Sequence, residues 1–281
     1  MNTILVPFHD DDMSNAAMDL AALVARRSGA HIEALYVLRP PQIFASEGIA
    51  IPGGYITELA DEERSLAERA KERFDAALAD AGISQRALDS DGSGVSASWR
   101  EVEGLEPLIV GEHGRLFGLI VVGRASANAA VDWNATCEAA MFDSGRAVLV
   151  APERAPETVG TRVLIAWNCS TETAHTVYAG REFLRDADEV IVLTVEGGTV
   201  PGPSGQELAQ HLRRAGMSAT SKSVETGGRS VGETILAECD EMGADLLFKG
   251  AYTHTRLRQM IFGGPTRHIL THATLPVLMA H

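Results

Sequence analysis

The end of the chain contains a segment whose residue types suit the binding of an anion. Residues 246–281 contain no Asp or Glu, whereas the whole chain carries 38 acidic and 24 basic residues and a formal charge of −14. The basic side chains of this segment are Lys249, Arg256, Arg258 and Arg267. Cationic side chains and the unpaired N–H groups of a helix start both attract phosphate, so we expect an anion to bind here.

The loop of residues 250–266 combines flexible glycines with the start of a helix. Gly250 ends an apolar, strand-like run, and its lack of a Cβ atom lets a ligand approach the backbone. Gly263 and Gly264 allow the chain to turn with exposed amides, and Pro265 suits the first position of the helix that follows. Thr266 adds a hydroxyl group beside these amides.

Two arginines of this loop, Arg256 and Arg258, could add charge-assisted contacts to a phosphate. Each contact is worth about 1.5–3 kcal/mol when it is shielded from water. The alternative is a simple connection whose arginines form a solvated face or a subunit contact. The local sequence favours the two interpretations equally.

Other chemistries have little support in the sequence. Zincin, dithiol, P-loop and dinucleotide motifs are absent. His268 and His272 lie one helical turn apart, but a histidine pair without a third acidic ligand is a weak metal site. Asp10, Asp11 and Asp12 could hold Mg²⁺ or Ca²⁺, although such acids more often form a solvated helix start.

Charge and composition restrict the partners and the compartment. An acidic pI near 5.1 argues against sequence-independent binding to nucleic acid or to an anionic membrane. Three cysteines without C-x-x-C spacing indicate neither a disulfide framework nor a zinc site. The sequence shows no signal-peptide pattern and no apolar stretch approaching the roughly 20 residues that span a bilayer. We therefore expect a soluble, cytoplasmic protein.

Four apolar runs of the first half recur in the same order in the second half. The paired runs are 4–8 with 163–167, 30–37 with 189–195, 117–122 with 244–248, and 147–150 with 276–279. A stretch rich in Pro and Glu, residues 152–160, separates the two sets and has turn chemistry. The sequence therefore predicts two tandem domains, 1–152 and 160–281.

Helix-like segments alternate with these strand-like runs. In the first of them Ser14 is placed as an N-cap and Gly29 as a C-terminal stop. Alternation with short, Val- and Ile-rich strands predicts an α/β fold, a parallel sheet covered by helices on both faces. Ligands of such sheets bind at the carboxyl ends of the strands. The first half also carries an insertion, a loop at 40–54 and a charged amphipathic helix at 57–81, whose function the sequence does not reveal.

The chain resembles the universal stress protein family in its tandem two-domain form, over essentially its whole length. The resemblance rests on residues 4–7 with the Ala-rich helix from Ser14, on residues 163–170, and on residues 250–266 followed by 276–279. It implies two doubly wound, five-stranded parallel-sheet domains of the adenine nucleotide alpha hydrolase-like type, with strand order 3-2-1-4-5. It also implies that the domains pair through their last strands, giving an internal pseudo-dimer, with a homodimer as a further option.

Nucleotide-binding members of that family use glycine, two residues, glycine, nine residues, then glycine and Ser or Thr. This chain keeps Gly250 and Gly263 at that spacing, but Thr253 replaces the second glycine and Gly264 replaces the Ser or Thr. The family's Asp after the first strand becomes Asn168, which can still hydrogen-bond a ribose or a base. The binding positions carried over to this chain are Ala166, Asn168, Val195, Gly250, Thr253, His254, Arg256, Gly263, Gly264, Pro265 and Thr266.

The first half departs further from this pattern. His9 takes the position of the family's Asp, three aspartates follow it, and no later glycine pair follows Gly123. We expect the first half not to bind ATP, because those carboxylates would repel phosphate.

Three hypotheses on function follow. The leading one is a stress-response protein that binds ATP or another adenine nucleotide, with or without Mg²⁺, in its C-terminal half and acts as a sensor or interaction module. The second is a scaffold or dimerisation protein of the same fold that binds no nucleotide. A slow ATP hydrolase is the third, and it has the least support because no catalytic acid, base or nucleophile stands out.

Overall fold

Strands and helices alternate along the chain in the computed structural model, which describes residues 1–40, 53–90, 94–124, 133–251 and 264–281. The strands are β1 (Thr3–Pro7), β2 (His31–Leu38), β3 (Ser84–Gln85), β4 (Ser96–Glu103), β5 (Leu119–Val122), β6 (Val148–Val150), β7 (Arg162–Ala166), β8 (Glu189–Val195), β9 (Ala219–Val224), β10 (Leu246–Phe248) and β11 (Val277–Met279). The α-helices are α1 (Asp12–Ser28), α2 (Gly53–Ala81), α3 (Glu106–His113), α4 (Trp133–Phe142), α5 (Thr171–Ala179), α6 (Arg181–Asp186), α7 (Gly205–Arg214), α8 (Val231–Met242) and α9 (Gly264–His272).

These strands form one continuous sheet, in the order β3-β4-β2-β1-β5-β6-β11-β10-β7-β8-β9. Apart from the two-residue β3, the strands of each half, counted in chain order, lie in the order 3-2-1-4-5. Pairing is parallel within each half, and β6 pairs antiparallel with β11, where Leu149 lies opposite Leu278. The predicted α/β fold and strand order are confirmed. The boundary between 1–152 and 160–281 stays a prediction.

The core lies on both faces of this sheet. Successive strand residues point to opposite faces, so Val6 and Ile165 enter one apolar cluster while Leu5 and Leu164 enter the other. All four side chains are fully buried. Burial on both faces explains why the strands read as continuous apolar runs in the sequence. Among the described residues, no helix is both long and apolar enough to cross a membrane.

The start of α1 differs from the prediction by three residues. Asp11 is the N-cap, because its Oδ1 accepts a hydrogen bond from the backbone N–H of Ser14 at 2.7 Å. Ser14 lies inside the first turn, where its hydroxyl accepts from the backbone N–H of His9. A carboxylate one turn earlier therefore takes the capping position that the sequence pattern gave to Ser14. The predicted stop at Gly29 is confirmed, since its φ of +67° is left-handed.

The helical part of the insertion, α2, packs on the first half through ion pairs and aromatic contacts. Asp10 pairs with Arg69 at 2.7 Å and with Arg73 at 2.5 Å. Phe74 of α2 meets the ring of Phe8 edge-on at 6.0 Å. Asp10 thus pairs with arginines, Asp11 caps a helix and Asp12 also pairs with Arg73, which gives all three acids roles without a metal.

Contacts beyond the sheet also join the two halves. Arg27, in the last turn of α1, donates to the carbonyl of Val159 and lies over the ring of Phe183 at 5.7 Å. Gly160 allows this approach, since a Cβ atom there would lie 2.7 Å from the Arg27 guanidinium. The terminal amine of Met1 pairs with a carboxylate of α6. The halves are therefore fixed to each other at the join and at the amino-terminal ends of the strands.

Candidate functional site

In the second half, Asn168 follows β7 at the edge of the sheet where ligands bind. Its Oδ1 accepts from the backbone N–H of Ser170 at 3.3 Å and from the hydroxyl of Thr173 at 2.5 Å. A backbone N–H can only donate, so the atom that faces Ser170 must be the amide oxygen. Nothing in the described part of the chain accepts from Nδ2, so two N–H groups remain for a ligand.

Gly250 lies against the first turn of α5. A Cβ atom at Gly250 would lie 2.5 Å from the backbone nitrogen of Thr173, closer than such atoms approach in proteins. The first half repeats this arrangement, since a Cβ atom at Gly123 would lie 2.6 Å from the carbonyl oxygen of Met13 in α1. The missing side chain at Gly250 therefore allows α5 to pack closely. From the sequence, this glycine was expected only to let a ligand approach the backbone.

Lys249 places a cation directly before this glycine. Its Nζ donates to the carbonyl oxygen of Gly250 at 2.8 Å. Burial lowers the pKa of Lys249 to about 8, against the opposing effect of the Glu172 carboxylate. An ammonium group that is poorly solvated gains more from a bound anion than an exposed one does. Lys249 is thus the described basic residue best placed to hold a phosphate at the end of β10.

The described part of the turn predicted to bind phosphate is Gly264, Pro265 and Thr266, at the start of α9. Gly264 has a left-handed φ of +63°, and it is exposed together with Pro265. Thr266 is 5% exposed, so little of its side chain reaches the solvent. The turn packs next to α8, where a Cβ atom at Gly232 would lie 3.1 Å from the Pro265 carbonyl oxygen.

The remaining predicted positions divide into two groups. Ala166 and Val195, at the ends of β7 and β8, are 6% and 5% exposed and belong to the same apolar cluster. They form the floor of this edge of the sheet. Four further positions lie outside the described residues: Thr253, His254, Arg256 and Gly263. The structure thus brings Asn168 and Gly250 together through Thr173.

In the first half, a cavity of about 40 Å³ opens at the equivalent edge of the sheet. His9 corresponds to Asn168, since the preceding Phe8 and Trp167 make the same backbone hydrogen bond to the neighbouring strand. The cavity is lined by Pro7, His9, Asp11, Met13, Ser14, Glu106, Val122, Gly123, Arg124, Trp133 and Thr136. It therefore combines acids, bases and apolar groups.

A hydrogen-bond network spans this cavity. Oε1 of Glu106, the first residue of α3, lies 3.2 Å from Nε2 of His9 and accepts from the Thr136 hydroxyl at 2.9 Å. Burial tends to lower the pKa of His9, but the hydrogen bond and charge of Glu106 and the charge of Asp11 raise it overall. The imidazole is thus held in place and favours its protonated form.

Sequence comparison decides the family. The profile described as the universal stress protein family matches residues 1–130 and again residues 119–281. The chain belongs to this family. The predicted resemblance, with its tandem arrangement, is confirmed. No curated protein matches the sequence significantly.

Solved structures agree with this universal stress protein fold. A universal stress protein from Archaeoglobus fulgidus is similar with a TM-score of 0.72 and 16% identity, over 99% of this chain and 98% of that chain. A functionally unknown protein from Pseudomonas aeruginosa is similar with a TM-score of 0.54 and 16% identity, over 100% of this chain and 92% of that one. At such identities the likeness concerns the fold alone.

Three residues of the universal stress protein's first-half cavity were not singled out from the sequence. Glu106, Trp133 and Thr136 follow the strand-like runs by many residues and carry no motif. The local signals mark only a helix start: Glu106 follows Gly104 and Leu105, and Pro107 lies in the first turn. Contact between His9 and a residue 97 positions away depends on the strand order, so local patterns could not reveal it.

One serine of this universal stress protein has a spacing used by serine hydrolases. Residues 228–232 read G-x-S-x-G around Ser230. The structure gives Ser230 another role, because its hydroxyl accepts from the backbone N–H of Glu233 and the Glu233 carboxylate accepts from the Ser230 N–H. This is a capping box at the start of α8. The motif therefore serves helix capping here.

Proposed function

We propose that this stress-response protein of the universal stress family binds an adenine nucleotide in its C-terminal half and acts as a nucleotide-dependent sensor or interaction module. The observation that carries the proposal is the meeting of two donors at adjacent strand ends. Nδ2 of Asn168 has no acceptor among the described residues, and the Lys249 ammonium follows β10. Thr173 connects these two positions through Asn168 and Gly250.

The charges of this edge favour the phosphate end of the nucleotide. Lys249 supplies a partly buried cation, and residues 246–281 contain no acidic side chain. Gly264 and Pro265 start α9, whose unpaired N–H groups add a positive dipole end. We assign the phosphates to this side and the ribose to Asn168, whose N–H groups can donate to a hydroxyl oxygen.

The rest of the proposed site follows the family's pattern. Thr253, His254, Arg256 and Gly263 stay predictions for the loop between β10 and α9. The ligand is ATP or another adenine nucleotide, and Mg²⁺ would accompany its phosphates. A slow hydrolysis of ATP is a weaker proposal, because no described residue has been placed to orient an attacking water.

A scaffold without nucleotide is the second candidate, and one observation favours it. Helix packing alone accounts for Gly250, as it does for Gly123 in the first half. The pairing of β6 with β11 joins the two halves in one sheet without a ligand. Binding measurements separate the two candidates directly.

The test is a titration with ATP, with and without Mg²⁺, by isothermal calorimetry, and native mass spectrometry of the freshly purified protein. We expect a single nucleotide per chain, and a loss of affinity of about tenfold or more in Lys249→Met, since a charge-assisted contact is removed. Methionine keeps the apolar stem of the side chain. The matched control is Lys222→Met on β9 of the same half, where the lysine pairs with Glu238 at 2.7 Å.

Either of two results would contradict the proposal. The protein could fail to bind ATP at about millimolar concentration, a binding free energy near −4 kcal/mol, and the scaffold would then be the better description. Alternatively, Lys249→Met and Lys222→Met could bind ATP equally well, which would remove the phosphate contact assigned to Lys249.

A further inference from the structure

The cavity of the first half contains a buried carboxylate oxygen that lies close to the His9 imidazole without a hydrogen bond from any described residue. Glu106 is 5% exposed, and its Oε1 already accepts from Thr136 and faces His9. Oε2 lies 3.1 Å from Nε2 of His9, yet it makes no hydrogen bond with any described residue. A buried carboxylate oxygen without a donor is costly, so a ligand that brings an N–H group to Oε2 would be stabilised there.

The groups around Oε2 favour a cation over an anion. Asp11 supplies a second carboxylate to the same cavity. The one arginine among the lining residues, Arg124, points its Nε and Nη1 donors at the carbonyls of Leu270 and Ala273, and its charge faces Glu153 at 3.9 Å. An anion would meet two carboxylates there, with the His9 imidazolium as its nearest opposite charge, whereas a cation that binds when His9 is neutral would meet two carboxylate partners.

The apolar side of the cavity favours an organic cation over a metal ion. Met13, Val122 and the indole of Trp133 line it, and an aromatic face attracts ammonium and guanidinium groups. No group of three His, Cys, Asp or Glu side chains suited to a metal occurs in the described ranges. A volume of about 40 Å³ suits a head group of a few atoms.

We infer that the first half binds a small organic cation, an ammonium or guanidinium group that donates a hydrogen bond to Oε2 of Glu106 inside this cavity. The site is separate from the nucleotide site proposed for the second half, and it does not depend on that proposal. Asp11 contributes attraction from the α1 cap, and Trp133 covers the carbon atoms of the ligand.

Binding at this site must compete with the proton on His9. Burial and Arg39 after β2 oppose the protonated imidazole, whereas Glu106 from α3 and Asp11 from the α1 cap favour it and raise the pKa of His9 overall. The Tyr36 ring of β2 faces His9 at 6.1 Å, and Arg124 lines the same cavity. A ligand cation next to Glu106 repels the His9 imidazolium. It also competes with that imidazolium for the Glu106 carboxylate. Affinity therefore rises with pH as His9, whose pKa is raised above 6.5, loses its proton.

The experiment uses methylammonium and guanidinium as probes and follows the indole N–H signal of Trp133 by ¹H–¹⁵N NMR in the full-length protein. We expect saturable shifts with a dissociation constant of about 1–10 mM for a fragment of this size. Glu106→Gln keeps the acceptor for Thr136 but removes the charge, and should weaken binding about 10- to 100-fold. Glu112→Gln is the matched control, because Glu112 is exposed on the same helix.

Several results would overturn the inference. One is the absence of saturable shifts up to about 100 mM probe, where binding is too weak to be specific. Another is an equal response to potassium chloride, which would indicate ionic strength alone. A third is equal binding by Glu106→Gln and wild type. If Glu106→Gln fails to fold, the affinity of the wild-type protein for the probe cations is measured as a function of pH. An affinity that does not change from about pH 6 to 8, the ordinary titration range of histidine, would contradict the site.

Discussion

Arg124 and Leu270 connect the two halves of this protein, since Nε of Arg124 donates to the carbonyl oxygen of Leu270 at 3.1 Å. Nη1 of the same guanidinium donates to the carbonyl oxygen of Ala273 at 3.2 Å. The last carbonyls of a helix lack intrahelical partners and carry the negative end of its dipole. A residue that follows β5 in the first half therefore caps α9 in the second half.

Replacement of Arg124 by methionine should destabilise the protein by about 1–3 kcal/mol, because two charge-assisted hydrogen bonds to buried carbonyl groups are lost. The side chain of Arg124 is 11% exposed, so water replaces these bonds poorly. Urea unfolding measures the change. The control is Arg154→Met, at an exposed position of the connecting stretch. Equal stability of the two variants would show that the cap contributes nothing.

Alanine at Gly250 or Gly123 should destabilise the protein by about 1–3 kcal/mol in each case, with or without nucleotide. The new Cβ atom would lie 2.5 Å from Thr173 at the first site and 2.6 Å from Met13 at the second, and the backbone there cannot move aside cheaply. Thermal unfolding in the absence of ligand provides the measurement.

Gly54→Ala serves as the control for this pair, because nothing lies within 4 Å of its Cβ position and alanine favours the surrounding helix α2. An unchanged melting temperature in Gly250→Ala, combined with loss of ATP binding, would instead make this glycine a ligand contact.

Lys249 should make stability depend on pH in the alkaline range. Burial lowers its pKa to about 8 from an ordinary value of 10.5. Between these values the unfolded chain binds the proton and the folded protein does not, so the stability of the fold rises with pH across this window. Below about pH 8 the folded protein must bury the charged form.

Lys249→Met isolates this effect. We expect the variant to be the more stable protein near pH 7, with its advantage over wild type shrinking by roughly 2–3 kcal/mol as pH rises toward 10.5. Urea unfolding at several pH values measures it. A difference between the two proteins that does not change with pH would mean that Lys249 is well solvated when folded.

The fold could be predicted because its signals are local and repeated. Apolar runs such as 4–8 and 163–167 indicate buried strands without any knowledge of the neighbours, and their duplication gives the tandem arrangement. The start of α1 was less certain, since Asp11, Asp12 and Ser14 are all competent capping residues. The extended backbone of Asp11 and the hydrogen bond that its carboxylate accepts from Ser14 show that Asp11 is the cap.

The sites were harder to predict because they depend on contacts between distant segments. Asn168 was found from the family pattern. The hydrogen bond that its side-chain oxygen accepts from the Thr173 hydroxyl depends on how α5 begins, so the sequence did not reveal it. Glu106 carries no pattern, and it matters only because the strand order places α3 beside His9. Gly250 was singled out from the sequence as a place where a ligand approaches the backbone. The structure adds a second reason for a glycine there, which is its close packing against α5.

The antiparallel pairing of β6 with β11 has an evolutionary consequence. Two separate copies of one domain would have to find each other, and any substitution in the gene would appear in both partners. Covalent connection makes the pairing independent of protein concentration and gives each lobe a fixed, non-identical neighbour. Each lobe can then accumulate its own substitutions, as His9 and Asn168 at equivalent positions already illustrate. A single gene can in this way keep one shared interface while the carboxyl edges of its two half-sheets diverge in chemistry.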